Sequence, residues 1–203
     1  MRTSFDLQLF HRFVTSAVRP YLGASVAAVS LLVAGSLAAQ TFDLACTVEG
    51  APAAARIART KQAGERSFLF QTVRRRLGAP LSCRASGNEG VTQVSWSFAG
   101  DATYTFYELP AAEMVNHAVV MPGLTQGEAL ALLKEGEKHL GILHEGRFPG
   151  CGIDWNKPIH EKGGGLNIGG TNNVSYWGDG CNCHGRISYT GQKVIGLEMG
   201  LAC

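Results

Sequence analysis

No catalytic spacing can be named anywhere in this chain of 203 residues. Gly163-Gly164-Gly165 lacks the GxxxxGK(S/T) frame of a phosphate loop, and no helical pattern follows it. The cysteines never stand as CxxC, the usual redox spacing. His139 and His144 are five apart, one too many for a helical zinc pair, and Gly141 between them predicts a helix end. Long apolar runs are also scarce. The one uncharged stretch of note is residues 22–39, LGASVAAVSLLVAGSLAA.

That stretch follows a basic flank of Arg2, His11, Arg12 and Arg19 against the single acid Asp6. Ser36 and Ala38 are small residues spaced as a signal peptidase requires. Residues 1–39 therefore read as a secretory signal, cut after Ala38 or Ala39. A retained anchor is the rival reading. At 18 residues the run lies at the lower edge of a membrane span, and Gly23, Ser25, Ser30, Gly35 and Ser36 dilute it. Without the leader, 164 residues remain, with 15 basic and 15 acidic side chains. That length suits one domain or two small ones. A neutral exported chain gives no reason to expect a nucleic-acid partner, and membrane contact is expected only through an uncleaved leader.

All six cysteines, Cys46, Cys83, Cys151, Cys181, Cys183 and Cys203, lie in the exported part. An even count in an oxidising compartment predicts disulfides and a periplasmic or secreted location. The spacing alone leaves 15 pairings open.

Three regions follow the leader. Residues 40–122 read as β. VTQVSWSF alternates, with Val94, Trp96 and Phe98 on one face. Gly100-Asp101 suits a two-residue hairpin turn, and TYTFYEL returns as a second strand. That register sets Phe98 opposite Thr103 and predicts that Tyr107 and Leu109 join the buried face. Upstream, residues 51–84 hold eight basic side chains (Arg56, Arg59, Lys61, Arg66, Arg74, Arg75, Arg76, Arg84) against Glu65 alone, around Phe68-Leu69-Phe70. This is either an anion-binding patch or, as the neutral total favours, a solvated strand face and loop.

Residues 123–148 form a helical connector. Thr125 and Glu128 have capping-box spacing. Ala129, Leu132, Leu133, Gly136 and Leu140 make one apolar stripe, and Gly141 is a candidate C′ stop, so the helix is expected over 126–140. Residues 149–203 are glycine-rich and hold four of the six cysteines. RISYT and KVIGLEM around Gly191-Gln192 predict a terminal hairpin. So short a segment is expected to rely on cross-links for its folding.

The CNCH element at 181–184 is the densest chemistry. In an extended chain Cys181 and Cys183 point to one side, and Asn182 and His184 to the other. Cys151 and Cys203 bracket the region and are natural partners for them, which leaves Cys46 with Cys83. Zinc, a strained CxC dithiol and a cysteine nucleophile with a histidine base are the rivals. No metal and no cofactor are expected. His184, His160 and Asp179, with Asp154 and Glu161, are the catalytic candidates, since a carboxylate and a histidine in one cleft suit acid–base work. Trp177, Tyr176 and Trp155 beside Asn172 and Asn173 are the types that stack on and hydrogen-bond to sugars; as core fillers they would do neither.

Cys151-Gly152, Asn156, Pro158, Gly165, Ile168, Tyr176, Gly180-Cys181-Asn182-Cys183 and Cys203 resemble the pattern of a short exported bacterial domain of unknown function, over about residues 151–203. Leu166 stands where that pattern has Trp, and Lys157 splits its Asn-Pro pair. The resemblance implies a cysteine-stapled β domain and no activity.

The sequence thus predicts a mostly β (α+β) protein of small antiparallel sheets, one amphipathic helix and a disulfide-stapled, Gly-rich C-terminal region. Its expected role is a non-enzymatic envelope module for a glycan, peptide or protein partner. The alternative is a secreted hydrolase or thiol oxidoreductase with a Cys/His or carboxylate/His site.

Overall fold

A computed structural model of the chain describes residues 44–88, 90–109, 114–143, 152–164, 168–179 and 183–202. The leader, the connector end with His144 and Glu145, and Cys151, Cys181 and Cys203 lie outside them. The chain is mostly β. The strands are β1 (Thr47–Gly50), β2 (Ser82–Asn88), β3 (Val91–Ser97), β4 (Thr103–Leu109), β5 (Met114–Val120), β6 (Ile159–Lys162), β7 (Asn172–Trp177), β8 (His184–Thr190) and β9 (Lys193–Ala202). The helices are α1 (Ala54–Arg66), α2 (Phe68–Leu77) and α3 (Gln126–Leu143).

The strands form one sheet in the order β1-β2-β3-β4-β5-β9-β8-β7-β6. Only β1 and β2 are parallel. The order is that of two meanders, β2–β5 and β6–β9, each preceded by helix and joined through their last strands. Because β5 and β9 pair antiparallel, an approximate two-fold axis normal to the sheet relates the two halves. Short loops between sequence neighbours make each meander the simplest antiparallel solution. The C-terminal region is therefore not a separate sheet. It shares the β5/β9 ladder and one core with the first half, so its burial does not rest on cross-links alone.

Helices cover one face. Two side-chain rows cross the sheet beneath them: Ala85–Val94–Phe106–His117–Met199–Gly185–Tyr176 and Cys83–Trp96–Tyr104–Val119–Leu197–Ile187–Val174. Phe70 of α2 packs edge-on against Trp96, Phe98 and Tyr104, with centroids 5.1–5.9 Å apart. Edge-to-face packing suits the ring quadrupoles.

Val94, Trp96 and Phe98 are buried as expected, but the hairpin register differs by one. Trp96 pairs with Tyr104, and Phe98 N donates to Ala102 O at 2.8 Å. The loop takes three residues, Ala99 to Asp101, with Gly100 and Asp101 both at positive φ. A one-residue slip moves every side chain of a strand to the other face. Tyr104 and Phe106, not Tyr107 and Leu109, join the core.

Seven of the eight basic residues of 51–84 are helical, on α1 and α2, where a strand face and loop was expected, and only Arg84 stands on a strand, β2. The core side of α1 is Ile57, Thr60 and Gly64, spaced i, i+3, i+7, with Thr60 donating to Glu108 Oε2 at 3.0 Å. A single large apolar residue on that stripe leaves little helical periodicity to read. Gly64 lets α1 approach closely, since a Cβ there would lie 2.7 Å from Trp96. Ser67 ends α1 and caps α2, its hydroxyl accepting from Phe70 N at 3.1 Å.

In α3, Thr125 and Glu128 form the expected capping box at 2.9 and 3.2 Å. Ala129, Leu133, Gly136 and Leu140 are buried. The helix runs through Gly141 to Leu143, because glycine permits a stop without enforcing one. The β8–β9 hairpin turns at Gly191-Gln192 as expected.

Cys46 and Cys83 are bonded. The parallel register that pairs Thr47 with Arg84 brings these two side by side, one position earlier. Cys183 is disulfide-bonded too. No helix among the described residues is long and apolar enough to cross a membrane.

Candidate ligand-binding face

The face free of helices differs between the halves. On β2–β4 it is a ladder of small polar residues, Ser82, Ser86, Gln93, Ser95, Ser97, Thr103 and Thr105, with Tyr107. Ser95 and Thr105 hydroxyls meet at 3.0 Å across strands. Arg84 is its one cation, 3.5 Å from Glu49.

On β6–β9 the alternation of NNVSYW and HGRISY sets Asn173, Ser175 and Trp177 beside Ser188, Arg186 and His184. Trp177 is 39% exposed, and its ring lies 5.3 Å from that of His184. The imidazole rests on Gly200, where a Cβ would overlap it. Next to this ring pair Arg186 is held on three sides. Its Nε donates to Ser175 Oγ at 3.0 Å, Nη1 donates to Glu198 Oε2 at 3.3 Å, and Nη2 lies 3.8 Å from Glu161 Oε2. The Ser175 hydroxyl faces Glu161 Oε2 at 2.9 Å and Asn173 Oδ1 at 3.1 Å, donating to one at a time. Asn173 Nδ2 donates to Gly163 O at 2.9 Å, which ties the β6–β7 loop down.

Glu198 is fully buried, Arg186 is 14% exposed and Glu161 is 40% exposed. A buried carboxylate is tolerated where a guanidinium and hydrogen bonds replace water. The outer carboxylate of Glu161 stays accessible. The result is a rigid donor–acceptor array beside a flat ring.

The three aromatics expected to act together do not. Trp155 and Tyr176 lie on the helix side, their rings 5.2 Å apart. Trp155 covers Gly185 and donates from Nε1 to Glu137 Oε2 at 2.7 Å, while Glu137 Oε1 accepts from Ile153 N. Burial raises the Tyr176 phenol above its usual pKa. These two fill the core, and Trp177 alone faces outward, because adjacent strand residues point apart.

The candidate acid–base residues are dispersed as well. His160 is exposed and paired with Val174, so it points to the side opposite His184. Asp179 is exposed beyond β7. Asp154 sits 3.0 Å from Lys157, whose ammonium and the Asn156 amide hold its carboxyl below the usual range. Among the described residues no cluster of three His, Cys, Asp or Glu could hold a metal ion.

The periodicities in the sequence did not reveal a second feature, a shallow crevice between α2 and α3. Ser67, Phe68, His117, Gly136, His139 and Met199 line it. Beneath it the Ser67 hydroxyl meets the Tyr104 hydroxyl at 2.6 Å, which meets His117 Nδ1 at 2.8 Å. Burial pushes the Tyr104 phenol far up. The crevice is far smaller than the small-molecule sites of other proteins, and Phe68 and His139 stack over it at 4.9 Å. A hydrogen-bonded chain inside a packed core is the simplest account of these residues.

No protein-family model matches the chain, and neither a curated protein nor a solved structure matches it.

Proposed function

We propose that this chain is an exported, non-enzymatic envelope protein that binds a glycan on the helix-free face of β6–β9. The observation that carries this reading is the exposed Trp177 ring set beside the fixed Arg186–Ser175–Glu161 array. An indole face stacks on the apolar face of a pyranose. A carboxylate and a guanidinium whose geometry is already held accept from and donate to sugar hydroxyls with little ordering cost. The periplasmic or secreted location rests on the leader and is supported by the disulfide.

Titration calorimetry with N-acetylglucosamine oligomers and other soluble oligosaccharides tests the reading. Trp177→Ala should weaken binding by about tenfold or more, the scale of a lost central aromatic anchor, with the unfolding midpoint unchanged. Release of new reducing ends would show an enzyme instead. Equal affinity in Trp177→Ala would remove this face as the site.

A further inference from the structure

The second candidate surface lies in the opposite layer, on α1. Its solvent side is made of Ala54, Ala55, Ala58, Arg59, Gln62 and Arg66, all exposed, with Arg56 at its flank. The sole acid of the helix, Glu65, is taken by Lys61 at 3.5 Å. Arg56, Arg59 and Arg66 meet no acid among the described residues. They fall within about 80° of arc and about 15 Å of axis at 3.6 residues per turn and 1.5 Å rise. Helical folding therefore turns a charge-rich sequence run into a line of three uncommitted guanidiniums between small side chains. The charge balance of residues 40–203, 15 basic against 15 acidic side chains, hides this, because the other acids sit elsewhere, on α3, on other strands and in the loops.

We infer that this face of α1 binds an extended anionic polysaccharide, one bearing carboxylate or sulfate groups. Three features select that partner. The free cations are all arginine, whose planar fork matches an oxyanion in a bidentate way where lysine offers only a point charge. Alanine at 54, 55 and 58 lets a polymer lie close to the helix without collision. The surface has no apolar side chain larger than alanine to enter a bilayer and no aromatic ring on which a base would stack. This site stands independently of the Trp177 reading, on the other side of the sheet, so either can fail alone.

The test uses the full chain with heparin and polygalacturonate as probes, duplex DNA and anionic phospholipid vesicles as competitors, and salt titration throughout. The Arg56→Ala/Arg59→Ala/Arg66→Ala variant should bind either polysaccharide about tenfold more weakly, the scale of losing several charge-assisted contacts, with a shallower salt dependence. Its helix should persist, since alanine is the better helix former. A second variant, Lys134→Ala/Lys162→Ala/Lys193→Ala, removes the same charge elsewhere and should bind as the parent does. Equal losses in the two variants would mean that only net charge is sensed, which overturns the proposal. Tighter binding to DNA or to vesicles than to either polysaccharide would overturn it too, as would retention of full affinity by the arginine variant.

Discussion

The two halves share a plan and fill it differently. Each is helix followed by a four-stranded meander, and each places an indole against a glycine on the helix side. In the first half the glycine is on the helix, Gly64, and the indole on the sheet, Trp96. In the second the glycine is on the sheet, Gly185, and the indole comes from a loop, Trp155. On the helix-free face the second half repeats the device twice, with His184 over Gly200 and Ile168 over Gly196. The first half packs with aromatic strand residues, and the second leaves gaps in its strands that loop residues and His184 fill. A core needs its volume occupied, and the elements that supply the atoms are interchangeable. What differs in consequence is the outer face, a polar ladder on one side and a fixed charged array on the other.

The largest expected effect tests whether the halves are one cooperative unit. Trp96→Ala should cost about 3–5 kcal/mol, as for other buried aromatic truncations, and urea unfolding followed at Trp155 should shift with it. If the shared β5/β9 ladder couples the halves, fluorescence and circular dichroism transitions will coincide; separate transitions would split the molecule in two.

Next comes the staple peculiar to the first half. The Cys46–Cys83 link spans 37 positions, for which loop-closure entropy gives up to about 4 kcal/mol. Cys46→Ala/Cys83→Ala should approach that loss in urea. Since β1 is a four-residue exposed edge, hydrogen exchange should rise in β1 and β2 first and leave β8 and β9 protected.

A smaller effect is expected where the second half relies on its glycine. At Gly185 a Cβ would lie 2.7 Å from Trp155 Cη2. Gly185→Val should cost about 1–3 kcal/mol by overpacking and shift Trp155 emission. An unchanged emission maximum would mean that the loop yields without leaving its site.

The smallest lies at the helix that opens the second half. Thr125→Ala should cost about 1 kcal/mol, as for other lost N-caps. The Thr125 amide, ahead of the Thr125 hydroxyl and Arg76, holds the Glu128 carboxyl below its usual pKa. A depressed folded-state pKa stabilises above the unfolded value, near pH 4.5, and that contribution fades as pH falls through the folded value. Glu128→Gln should therefore flatten the acid limb of stability below about pH 4.5 and change little at pH 7.

Periodic local signals were readable at sight. The α3 stripe and capping box, the Gly191-Gln192 hairpin and the Cys46–Cys83 pair all depend on neighbours in sequence or on a short menu of partners. Helix α1 was not readable, because Ile57, Thr60 and Gly64 bury a stripe that composition scores as polar and small. At the candidate site, the sequence grouped Trp177 with Tyr176 and Trp155, and only the strand β7 set Trp177 and Tyr176 on opposite faces. The sequence also said nothing of Arg186 joining Ser175, Glu161 and Glu198, a convergence that needs three cross-strand registers at once.

The amino-acid sequence by itself determined a β-rich, disulfide-bonded chain with a capped amphipathic helix, since propensity, period and cysteine count act over short range. Tertiary structure decided the rest: one sheet where separate small sheets were expected, helix in the arginine run, and Trp177 outside with Trp155 inside. Those outcomes turn on which surfaces meet, and a one-residue change of register or one glycine's missing Cβ is enough to reverse them.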